Sequence, residues 1–172
     1  MGCKGGCALG GAIMSGGMKA GKRFEAKFRL AMEPHAFVLR IPDSVRAVGG
    51  RLVGSETEAD FLVVTGEGSY LVECKATNKP RLEFYNVKEH QEASLARFDA
   101  VGGRCHGLLA VEFYDKAGYR KAHRMFLLPI MRWLDYKRVS KRRSMPLSEF
   151  EARGVELPYR RGGYVFDGRW FR

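Results

Sequence analysis

The chain has 172 residues, enough for one domain with a sizeable core, and 45% hydrophobic with 28% charged residues excludes a wholly disordered tail protein. No apolar run approaches the ~18 residues of a membrane span, and four cysteines at this length make no compact disulfide framework; the expectation is a reduced cytoplasmic protein that does not enter membranes. The formal net charge of +11 is lopsided: residues 1–115 carry 15 basic and 14 acidic side chains, residues 116–172 carry 15 and 5.

Residues 1–16, glycine-rich with Cys3 and Cys7, read as a flexible arm ahead of a single domain over 17–172. Ser15 caps an expected helix to about Met32, with Phe24, Phe28, Ala31 and Met32 as its apolar stripe and Glu25 at the stripe's edge. Pro34 ends it. Phe37 to Ile41 is a short strand stopped by Pro42, and Asp43 to Glu58 reads as a loop or loose hairpin. Strands follow at Asp60 to Thr65 and Ser69 to Ala76, joined by a turn over Gly66-Glu67-Gly68. Asn86 and Glu89 resemble a capping box opening a second helix, which runs to about Val101 and stops at Gly102-Gly103. His106 to Phe113 is an apolar strand, Asp115 to Gly118 a turn, and Arg120 to Leu128 a returning strand before Pro129. Ile130 to Tyr136 suits a short helix, Leu147 to Arg153 another, and Tyr164 to Phe171 an extended end. This order predicts an α/β fold, a central mixed sheet flanked by helices.

The excess charge gathers at Lys137-Arg138, Lys141-Arg142-Arg143 and Arg160-Arg161. Such a surface attracts polyanions, of which nucleic acid is the commonest in cells. Interleaving with Trp133 and Tyr136 favours that reading over a merely solvated basic face. Lys137, Arg138, Lys141, Arg142 and Arg143 are therefore the candidate DNA contacts.

In the strand Ser69 to Ala76 the side chains of Leu71, Glu73 and Lys75 share one face. A carboxylate and an ammonium inside an apolar strand are expensive to bury without a task. If Asp60 converges with Glu73, the two supply oxygen ligands for a hard divalent cation, and Lys75 stands where it can orient a water or steady a phosphate charge. The bland alternative is a cross-strand salt bridge. Convergence requires Asp60 to pair opposite Glu73 or Lys75, which favours an even-length turn, because a one-residue slip inverts every side chain. On the second helix Val87, Gln91, Leu95, Phe98 and Val101 share a face, and Gln91 is the polar interruption. It is either a core amide satisfied by backbone or one aimed at the metal site. Glu25 is a further candidate ligand.

The order Glu25, Asp60, Glu73-Cys74-Lys75, Gln91 resembles the restriction-endonuclease-like PD-(D/E)xK nucleases, and more narrowly the RecU-type Holliday-junction resolvases of bacteria and phages. Val38-Leu39-Arg40-Ile41-Pro42, Leu71 to Thr77, Phe84 to Gln91 and Arg143-Ser144-Met145-Pro146 carry the resemblance. The segment from Pro42 to Asp60 is shorter than that family's protruding stalk, which inserts into the junction. The resemblance implies a restriction-endonuclease-like core and Mg²⁺-dependent cleavage, with Mn²⁺ able to substitute. Asp60, Glu73, Lys75 and Gln91 would be catalytic, and Glu25, Asp60 and Glu73 would bind metal. The implied substrate is branched four-way DNA, cut by paired nicks from a homodimer in recombination, repair or phage DNA processing. One site per chain and two cuts per junction call for a two-fold dimer, with the first helix and Phe37 to Ile41 as candidate interface. Two rivals stand beside this reading: a restriction- or repair-type nuclease acting on linear duplex, and a non-catalytic basic DNA-binding protein.

Overall fold

The computed structural model describes residues 20–42, 44–48, 51–55, 57–114, 123–160 and 162–166. The arm at 1–16, the Ser15 cap, the Asp115 to Gly118 turn and the chain after Phe166 lie outside the described residues. Helix α1 (Ala20–Met32) buries Phe24, Phe28, Ala31 and Met32, the stripe its spacing predicts. Strand β1 (Phe37–Arg40) follows, then a hairpin of β2 (Ser44–Val48) and β3 (Arg51–Ser55) where a loop or loose hairpin was expected.

Strands β4 (Phe61–Val64), β5 (Ser69–Thr77), β7 (Cys105–Phe113), β8 (Arg124–Pro129) and β10 (Val155–Leu157) join β1 in one mixed sheet, ordered β1-β4-β5-β7-β8-β10. Only β5 and β7 are parallel, linked by the crossover helix α2 (Glu89–Asp99); the other pairings are antiparallel. β5 and β7 lie centrally, which is why both are near-continuous apolar runs rather than alternating ones. α1 and a C-terminal hairpin of β11 (Tyr159–Arg160) and β12 (Gly163–Tyr164) cover one face. α2, α3 (Ile130–Val139) and α4 (Leu147–Arg153) cover the other.

Two short strands too brief to show a period in the sequence, β6 (Arg81–Glu83) and β9 (Ser144–Pro146), pair with each other and bury Leu82 against Met145. They tie the start of α2 to the end of α3. The seat of α2 is close: a Cβ on Gly107 of β7 would stand 2.2 Å from the Leu95 carbonyl oxygen. Glycine is required there by proximity alone.

Candidate active site

The β4–β5 register decides whether the carboxylates meet. Phe61 pairs with Val72, and the Asp60 N–H donates to the Val72 carbonyl at 3.1 Å, so Asp60 stands opposite Glu73. The register is held by an even turn: the Thr65 N–H donates to the Gly68 carbonyl at 2.8 Å, leaving Gly66-Glu67 as the two turn residues. The Asp60 side chain is fixed in turn, its Oδ2 accepting the Cys74 N–H at 2.8 Å.

Glu73 is 2% exposed. Its Oε1 accepts Lys75 Nζ at 2.6 Å and Gln91 Nε2 at 2.7 Å, and Lys75 also donates to Gln91 Oε1 at 3.1 Å. The three side chains close a triangle across β5 and α2. Gln91 is oriented by the helix start, since its Oε1 also accepts the Lys88 N–H at 3.0 Å. Lys88 is thus the residue flanking α2; Asn86, expected in that role, belongs instead to a single 3₁₀ turn over Phe84–Asn86. Val101, expected to extend the helix's apolar face, lies beyond its end and is exposed.

The other carboxylate oxygen, Glu73 Oε2, is buried and has no hydrogen-bond partner among the described residues. The Glu73 carboxyl is pushed up to about 7, first by burial and then by the Asp60 charge; Lys75 opposes this and Glu25 adds a smaller push. Glu25, on α1, pairs with Arg40 at 3.6 Å. Burial, then the same three carboxylates, pushes the Cys74 thiol well above its ordinary value. That cysteine is a buried apolar filler on the α1 face, not a nucleophile.

Among the described residues no three His, Cys, Asp or Glu side chains are already drawn into one metal-holding group, Glu25, Asp60 and Glu73 included. Glu73 nonetheless feels the charge of the other two, Asp60 more than Glu25. Glu73 Oε2, buried and without a partner among the described residues, and the Asp60 carboxyl opposite it are hard oxygen donors of the kind that suit a divalent cation.

The basic surface divides. Lys137 is turned to the buried Glu92, with Nζ at 2.8 and 2.9 Å from its two oxygens, and Trp133 Nε1 donates to the same carboxylate at 2.7 Å. Arg138 pairs with Asp135 at 2.8 Å. Lys141, Arg142 and Arg143 are exposed. Trp133 and Tyr136, read in the sequence as aromatics of the basic surface, are core residues at 0% and 8% exposure. Two groups were missed: Glu92, and Glu112, which is 2% exposed and accepts Lys27 Nζ and Tyr164 OH, each at 2.8 Å. A lone glutamate inside the apolar strand His106 to Phe113 was a legible signal for the second. It fastens α1 and the C-terminal hairpin to the sheet.

Comparison with known proteins bears on the family and the fold. The family model described as RecU: Recombination protein U matches residues 42–166. No curated protein matches the chain. Among solved structures, Hjc, a Holliday junction resolvase from the archaeal hyperthermophile Archaeoglobus fulgidus, is similar with a TM-score of 0.54 and 17% identity, over 79% of this chain and 95% of that one. At that identity the likeness is one of fold, and the fold is the expected α/β one with a central mixed sheet.

Proposed function

Because the chain belongs to the Recombination protein U family, we propose that it is a Holliday-junction resolvase, an endonuclease that nicks two opposed strands of a four-way DNA junction. The observation that carries the catalytic reading is the Glu73 carboxylate, held by Lys75 and Gln91 through one oxygen and left without a hydrogen-bond partner on the other. A salt bridge made for stability alone would satisfy both oxygens.

Asp60 and Glu73, joined by Glu25, are the residues that would hold Mg²⁺, with Mn²⁺ as a substitute. When bound, such an ion lowers the pKa of a coordinated water and offsets charge at the scissile phosphate. The protein supplies the rest. The Cys74 N–H fixes the rotamer of Asp60, so the ligand needs no reorganisation. Lys75 places a positive charge beside the site where the phosphate gathers negative charge, and it has protons to share with water or with the leaving oxygen. Gln91 holds Lys75 and Glu73 at once, and the second N–H of its Nε2 would be the group that orients a water there. Lys141, Arg142 and Arg143 contact phosphates, with Arg138 at the edge of that surface.

Two opposed cuts from one site per chain require a homodimer. The exposed Phe37 and Leu39 of edge strand β1, opposite the exposed Val64 of β4, give it an apolar patch. The chain acts on DNA, and among the described residues no helix is long and apolar enough to cross a membrane; the cytoplasm is its proposed place. One gel tests the reading, with a four-way junction, a linear duplex and a flap, each with and without Mg²⁺. Symmetric Mg²⁺-dependent nicks confined to the junction are expected. Cleavage of linear duplex instead identifies a restriction- or repair-type nuclease, and no cleavage of any DNA identifies a binding protein.

A further inference from the structure

Cations alone do not distinguish a branch point from ordinary duplex, because both present phosphates. Trp133 and Tyr136 cannot help, being buried. The exposed ring of that region is Tyr85, at 68% exposure, in the 3₁₀ turn between β6 and α2. Its neighbours explain why it faces out. Phe84 turns inward, 5.2 Å from the Trp133 ring and 6.3 Å from that of Tyr136, and Val87 is buried. With core anchors on both sides, little further ordering is needed to present the ring.

The same turn joins the two parts of the proposed machinery. β6 pairs with β9, Glu83 lies opposite Ser144, and the Phe84 N–H donates to the Arg143 carbonyl at 3.0 Å. Tyr85 is the next residue, so it sits beside the exposed run Lys141-Arg142-Arg143. Three residues further on, the exposed Lys88 opens α2, whose Gln91 holds Glu73. An exposed ring whose chain neighbours are anchored in the core therefore lies, along the chain, between the strand that abuts Arg143 and the helix whose Gln91 holds Glu73. Cations take a backbone; a π face takes a base of any identity, provided that base is unstacked. Inside intact duplex no such base is offered. At the exchange point of a four-way junction, a crossover base can leave its stack at low cost.

We propose that Tyr85 is a base-stacking contact that receives an unstacked nucleobase at the branch point and so favours the junction over linear duplex. The proposal rests on the resolvase reading above.

The test uses the full chain with Ca²⁺ in place of Mg²⁺, so that binding is read without cleavage, on a four-way junction and on a linear duplex of the same arms. Tyr85→Ala should weaken junction binding by about tenfold, the size of one lost base–aromatic stack, and duplex binding by less than half as much. The slope of log affinity against log salt should not change, since no phosphate contact is removed. Tyr85→Phe and Tyr85→Trp should bind the junction as the wild type does. Equal losses on both DNAs, junction binding by Tyr85→Ala at wild-type strength, or failure of Tyr85→Phe alongside Tyr85→Ala would each overturn the stacking role. A wild-type protein with no preference for the junction would sink the resolvase reading and this proposal together. A junction-selective wild type indifferent to Tyr85→Ala would sink this proposal alone.

Discussion

A carboxyl with a folded pKa near 7 keeps its proton through a range where an unfolded one, with an ordinary value of 4.5, has lost it. The native state then binds more protons than the unfolded state, so metal-free stability should fall as pH rises from about 4.5 to about 7 and level off above. The expected loss is about 3 kcal/mol. Urea denaturation in a chelator at pH 5 and pH 8 checks this, and Glu73→Gln should flatten the difference while keeping the acceptor for Lys75. Added Mg²⁺ should stabilise the wild type more at pH 8 than at pH 5, because the cation favours the ionised carboxylate. An unchanged pH dependence in Glu73→Gln would remove Glu73 as its source. The other orphan-forming change lies at Lys137, whose loss leaves Glu92 charged and buried. Lys137→Ala should cost about 2–3 kcal/mol, below the ~3–5 of a fully buried pair because the lysine is partly exposed. Lys141→Ala should stay within about 0.5 kcal/mol. Equal melting of the two variants would contradict this division of the basic residues.

Among the elements, α2 sets the geometry of the site, because it carries Gln91 and packs directly on β7. Gly107→Ala would drive a methyl into the Leu95 carbonyl, so a loss of about 1–3 kcal/mol is expected, with cleavage falling further than stability alone explains as Gln91 is displaced. Comparing melting with cleavage at a temperature where the variant is folded checks it. How far these elements were legible follows from their physics. The β4–β5 hairpin and the α1 stripe were readable because period and turn length fix which side chains meet. β6 and β9 were not, since three residues carry no period. The α2 start was misplaced because Asn86 has the right chemistry for a cap but its backbone is held in the 3₁₀ turn. Glu92 has no sequence signal of its own, although Ile130, Trp133 and Tyr136, spaced three apart, form a buried stripe on α3 that must face something. Glu73, Lys75 and Gln91 were legible as polar exceptions on apolar faces, and Asp60 through the register that an even turn fixes.

Across the whole molecule, the proposed phosphate-binding cations and the proposed metal-binding carboxylates sit on different elements, so binding and cleavage should separate by mutation. Replacing Lys141, Arg142 and Arg143 with Ala should weaken binding to every DNA shape and lower the log–log salt slope by roughly one per lost phosphate contact. Titration of junction affinity against salt measures it, and an unchanged slope would place the DNA elsewhere. Sedimentation at micromolar concentration should show a dimer bound to the junction; a bound monomer would contradict paired cutting. The central claim is that the Glu73 carboxylate is part of the cutting machinery rather than a structural ion pair. Its most direct measurement is Glu73→Gln on one four-way junction, with binding read in Ca²⁺ and cleavage in Mg²⁺. The account predicts that binding persists or tightens, since one fewer carboxylate repels the phosphates, while cleavage collapses. Cleavage by Glu73→Gln at near wild-type rate would contradict it.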